Sequence, residues 1–146
     1  MTTDEVNKIK CDAYEASVKA MTTAGKLVLD LCNRDPSGAG VQYGPVIFSA
    51  AYNFNEAVAE MLHYDNDVLF SCEPYRTERP NATVIKAATD DDIRNDMLDI
   101  MYQASIASAT LLKLGINITA ECAHLVNEVL DANAAYWEFE FETYEK

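Results

Sequence analysis

Two pairs of carboxylates at helical spacing, Glu56 with Glu60 and Asp96 with Asp99, are the side chains of this sequence best suited to chemistry. Residues three or four apart share one face of a helix, so each pair projects as a unit. Two such pairs on neighbouring helices would converge into a cage of hard oxygen ligands. That cage suits Mg2+ or Mn2+, which take carboxylate and water ligands and bridge to substrate phosphates. The chemistry it implies is attack of water on a phosphoryl centre, with the ion lowering the pKa of the water and neutralising developing charge. Glu56, Glu60, Asp96 and Asp99 are then the candidate metal ligands, and Glu60 and Asp99 the candidate catalytic carboxylates, one serving as general base. The plainer alternative is that carboxylates at this spacing belong to ordinary solvated helix faces.

Helices are the elements that must position these residues. The chain has 146 residues, 49% of them hydrophobic, with only five glycines and four prolines. It is therefore read as one all-α domain, a four-helix bundle-like fold in which apolar residues recur every three or four positions. The first helix is expected over about 4–33, carrying Val6, Ile9, Ala13, Ala16, Ala20, Ala24, Leu27 and Leu31 on its buried face. The glycine-rich stretch from Arg34 to Gly44 breaks it. A second helix is expected over about 45–63, with Pro45 in the first position.

The third helix, about 90–114, has the strongest start signal. Thr89 is placed as N-cap with Asp92 closing a capping box, and Asp90, Asp91 and Asp92 favour the positive end of the helix dipole. Gly115 is placed to end it in a left-handed conformation. Thr119 is expected to cap a fourth helix over about 120–141, with a terminal strand as the alternative for the alternating aromatic and acidic residues 136–144. Between the second and third helices lies one long connector, 64–88, and connectors of that length are often binding loops. Arg76 and Arg79 put positive charge there, in a position to clamp phosphates or simply to pair with surface carboxylates.

Charge narrows the function classes. Eleven basic against 24 acidic side chains leave a formal net charge of −13, which argues against direct nucleic-acid binding through the phosphate backbone. Four scattered cysteines without a C-x-x-C pair, and only two histidines, argue against structural zinc. His63 and His124 lack ligand-like spacing, and Ser105 and Ser108 have no accompanying histidine that would make them nucleophiles. No stretch reads as a signal peptide or approaches the ~20 apolar residues of a membrane span, so a cytoplasmic location is expected.

The run Asp92-Ile93-Arg94-Asn95-Asp96-Met97-Leu98-Asp99-Ile100-Met101-Tyr102, followed by LLKLGINITAECAHLVNEVLDANAAYW, resembles the second half of the all-α nucleoside triphosphate pyrophosphatase superfamily, the MazG-like and dCTP-pyrophosphatase-like proteins. Asp96 and Asp99 match the acidic pair of that family, with aspartate in place of the usual glutamate at the first position. Leu114-Gly115-Ile116 matches its turn, and Asn133 its late asparagine. The resemblance covers about a third of the chain. It implies a helical, usually homo-oligomeric protein that uses magnesium to cleave a nucleotide between the α and β phosphates, with Asn133 as a nucleotide contact. Glu56 and Glu60 are four apart where the family's earlier acidic pair is three apart, and no lysine or arginine stands near Asn133 between Leu125 and Tyr136.

A second reading belongs to another class. A small, strongly acidic helical protein can imitate nucleic acid and occupy a basic groove on a protein partner without catalysis, as viral anti-defence inhibitors do. Carboxylates then steer association while aromatic residues anchor it. Its signature is acidic side chains that scatter over the surface, whereas a metal site needs them to converge.

Overall fold

The computed structural model describes residues 1–34, 40–63 and 88–145, with side chains placed for 1–33, 42–63 and 88–137. These residues form four helices and no strand: α1 Thr3–Arg34, α2 Gly40–Met61, α3 Asp90–Leu112 and α4 Thr119–Glu145. The all-α reading holds. Two boundaries move. α2 begins at Gly40 and takes Pro45 into its interior, within its first two turns. α4 continues to Glu145, so the alternating aromatic and acidic residues at its end are helical. The connector, with Arg76 and Arg79, lies outside the described residues.

Local chemistry explains where α3 begins and ends. The Thr89 hydroxyl accepts from the Asp92 N–H at 3.1 Å and the Asp92 carboxylate accepts from the Thr89 N–H at 2.9 Å, the reciprocal capping box expected from the sequence. At the other end Gly115 turns left-handed at φ 73°, and the Ile116 N–H returns to the Leu111 carbonyl at 3.1 Å. Asn117 caps the chain's re-entry, because its side-chain oxygen accepts from both the N–H and the hydroxyl of Thr119, at 3.0 and 2.6 Å. The expected capping role of Thr119 thus passes to its neighbour.

Side-chain contacts fix the arrangement of the helices. α1 packs against α2 and α3, and α4 packs against the same two, so α2 and α3 occupy opposite corners of the bundle. Thr23 meets Asp99 while Lys26 meets Asp96, a pairing in which one number rises as the other falls, so α1 and α3 run antiparallel. Ser17 with Asn55 and Val28 with Gly44 make α1 and α2 antiparallel in the same way. α2 and α3 therefore run parallel, so the end of α2 and the start of α3 lie at opposite ends of the bundle and at opposite corners. A long connection is a topological requirement here.

The core joins all four helices through Leu27, Ile47, Val58, Ile93, Ile100, Leu111, Leu125 and Val129, each fully buried. Alanines at 13, 16, 20 and 24 on α1 and at 104 and 107 on α3 let backbones approach closely. Gly44 lies in the same kind of contact: a Cβ there would stand 3.2 Å from the Cα and Cγ2 of Val28. No helix among the described residues is long and apolar enough to cross a membrane.

Candidate functional site

Asp96 and Asp99 turn towards α1, where they meet Thr23, Lys26 and Asp30. The Lys26 ammonium donates to Asp30 at 2.8 Å and to Asp96 at 2.9 Å, bridging two helices. The Thr23 hydroxyl donates to Asp99 Oδ2 at 2.7 Å, and Gln103 Nε2 approaches Asp99 Oδ1 at 3.4 Å. Asp99 is thus held at both oxygens. Along the α1–α3 boundary the carboxylates fall in the order Asp30, Asp96, Asp99, with Asp96 at the centre and buried.

Burial is the main cause that pushes the Asp96 pKa up, to about 7, and the neighbouring Asp30 adds to it while Lys26 pulls the other way. For Lys26 burial acts to lower the pKa, but its hydrogen bonds to Asp30 and Asp96 outweigh that and the ammonium is held firmly charged. The side chain of Lys26 remains 53% exposed, so it covers the cleft from the solvent side. Asp96 Oδ2 is buried and accepts from no donor, and a proton on the Asp96 carboxyl is shared with Asp30, which helps to raise its pKa.

The other expected site residues are elsewhere. Glu56 and Glu60 are exposed on α2, the helix diagonal to α3, two turns or more further along the bundle than Asp99. Their expected convergence with Asp96 and Asp99 therefore does not form within one chain; Glu56 instead accepts from the exposed Tyr52 hydroxyl, which raises the pKa of that phenol. Asn133 belongs to a different cluster. Its side-chain oxygen accepts from the Trp137 indole at 2.6 Å, and Arg94 lies over the Trp137 ring at 4.6 Å. Arg94 and Asp96 are two residues apart and point to opposite sides of α3, so the helix itself separates Asn133 from the carboxylates.

Fit to a divalent cation can be judged on the donors. Asp30, Asp96 and Asp99 offer hard oxygens, and Asp96 Oδ2 lacks a partner, which suits Mg2+ or Mn2+. Among the described residues, however, no three Asp, Glu, His or Cys side chains already stand together as a metal site. A cation that binds both Asp30 and Asp96 has to displace the Lys26 ammonium that bridges them. The donor chemistry fits, and the site is not preformed.

Thr23, Lys26, Asp30 and Gln103 were not singled out by sequence reasoning. The four-residue step from Lys26 to Asp30 beside the buried Leu27 is the signal that could have found two of them, since it places a charged pair at the edge of a core stripe. The apolar groove of about 270 Å3 between α2 and α4, lined by Ala50, Phe54, Ala57 and His124, contains none of the expected site residues. No protein family, curated protein or solved structure matches the chain.

Proposed function

We propose that the chain is a divalent-metal-dependent nucleotide pyrophosphohydrolase-like protein, acting on or binding a nucleoside triphosphate, with its acidic centre in the α1–α3 cleft. The observation that supports this is the inward turn of Asp96 and Asp99, which join Asp30 across an interhelical boundary. Carboxylates of a merely solvated face would point to water. A carboxyl that burial raises to about 7 is also the kind of perturbed group that marks functional sites.

In this reading Asp30 and Asp96 would hold a cation in the place of the Lys26 ammonium, and Asp99 would be left to accept a proton from a water at the substrate. The cation supplies charge neutralisation at the phosphates and a more acidic water. Thr23 and Gln103 orient Asp99 by hydrogen bonds to its two oxygens. Lys26, once displaced, has a half-exposed and flexible stem that keeps its charge near the cleft mouth, available to an anionic substrate. Glu56 and Glu60 take no part within one chain.

The test is a panel of nucleoside triphosphates with and without Mg2+, following pyrophosphate release and thermal stabilisation together. Release that falls at least about a hundredfold in Asp99→Asn, with helicity unchanged, supports the enzyme. Stabilisation without release points to a nucleotide-binding relative. Neither response removes the proposal and favours the acidic inhibitor. That second reading has its own support: Asp4, Glu5, Glu56, Glu60, Asp91 and Asp131 are dispersed over exposed positions of all four helices.

A further inference from the structure

The groove between α2 and α4 lies on the opposite side of the bundle from the α1–α3 boundary, since neighbours follow one another around the bundle as α1, α2, α4, α3. Small side chains create it. Ala50 and Ala57 of α2 face Ala120 of α4, and the gap they leave, about 270 Å3, opens over the buried ring of Phe54. An apolar cavity of about 150 Å3 is enough to take up benzene. The groove therefore has room for a ring with a short chain attached, about ten non-hydrogen atoms in all.

Charge selects the chemistry of the occupant. The half-buried carboxylate of Glu121 and the exposed ring of His124 stand at the rim, and Glu121 makes no hydrogen bond or ion pair among the described residues. Glu60, three residues after Ala57, and Glu128, four after His124, extend the negative charge along both walls. Neither α2 nor α4 contains a lysine or arginine, whereas α1 carries four lysines and an arginine. At the α1–α3 boundary the chain answers its carboxylates with Lys26; at the groove the two walls supply no cation. From this we propose that the α2–α4 groove binds a small organic cation, an amine carried on an aromatic or apolar body. The body rests on Phe54 between the alanines, and the ammonium meets Glu121. An anion would face unanswered negative charge, and a neutral ligand would crowd the Glu121 carboxylate without giving it a partner. The inference is independent of the proposed activity.

Titration of the isotope-labelled full chain with phenethylamine, followed through its amide NMR signals, tests it. Saturable shifts are expected at Ala57, Ala120 and His124 and none at Thr23 or Asp96, with a dissociation constant of about 1 mM or tighter. Phenethyl alcohol keeps the ring and loses the charge, and ethylamine keeps the charge and loses the ring. Each should bind at least about threefold more weakly. Glu121→Gln should weaken phenethylamine by the same factor and leave the alcohol unchanged. Ala57→Leu should fill the groove and abolish both, with circular dichroism showing the helices intact. No saturable response, equal binding of amine and alcohol, shifts confined to the surroundings of Lys26, or undiminished binding in Glu121→Gln would each overturn the inference.

Discussion

α1 uses polar side chains at both of its interfaces, and the two interfaces treat them differently. Against α2, the buried Ser17 hydroxyl donates to the Tyr14 carbonyl at 2.7 Å and accepts from Asn55 Nδ2 at 2.9 Å. The groups are neutral, and the chain of hydrogen bonds closes within the protein. Against α3, a lysine is shared between two carboxylates, one carboxylate oxygen is left buried without a partner, and burial has moved Asp96 to about 7. Neutral, satisfied groups specify packing at little cost, while buried charges compensated by a removable ammonium leave unspent affinity for another cation. The first interface serves architecture, and the proposed function reads the second as a place of cation exchange.

Asn55→Ala should break the architectural side most severely. It removes the partner of Ser17 and opens space in the core, for a loss of about 2–3 kcal/mol in a denaturant titration, with no dependence on magnesium. Lys26→Met should act on the other side and more weakly, by about 1–2 kcal/mol near pH 8, because the lysine is half exposed and water screens part of the lost charge. The same substitution should increase the stabilisation by Mg2+ above that of the wild type. If Lys26→Met responds to magnesium no more than wild type, the exchange reading of the cleft fails.

The third effect is on pH dependence. The folded state raises the Asp96 pKa from 3.8 to about 7, so between these values the native protein retains a proton that the unfolded chain has lost. The native state binds more protons there, and stability must fall as pH rises through that window. Thermal melts from pH 4 to pH 7 should show the decline, and Asp96→Asn should flatten it. A wild-type slope unchanged in Asp96→Asn would assign the decline to the general acidity of the surface.

The sequence made much of α3 legible and little of its surroundings. Thr89, Asp92 and Gly115 act within a few residues of themselves, so cap and terminus could be read directly. The shared face of Asp96 and Asp99 followed from their spacing. Which helix would meet that face did not follow, because hydrophobic periodicity says which side of a helix is buried and not what covers it. Consecutive helices were expected to be neighbours, and on that basis Glu56 and Glu60 were set opposite Asp96 and Asp99. The length of the connector held the contrary information: a short loop would have forced α2 and α3 side by side and antiparallel, whereas a long one permits the parallel, diagonal placement that gives α3 to α1. Asn133 was assigned by resemblance alone, and its four-residue step to Trp137 went unused.

The Ser17–Asn55 bond and the contact of Val28 with Gly44 have one more property in common. The residue numbers of each pair add to the same total, as they must if both belong to a single antiparallel alignment of α1 and α2. They lie about 16 Å apart along the helices, with the buried Ala20 and Ala24 of α1 between them to leave that surface smooth. Smooth helices can slide. A slip of one turn, about 5.4 Å, would carry Asn55 away from Ser17 and Gly44 away from Val28 at the same moment. Two distant pegs thus hold the register of a pair that its hydrophobic residues alone would leave ambiguous.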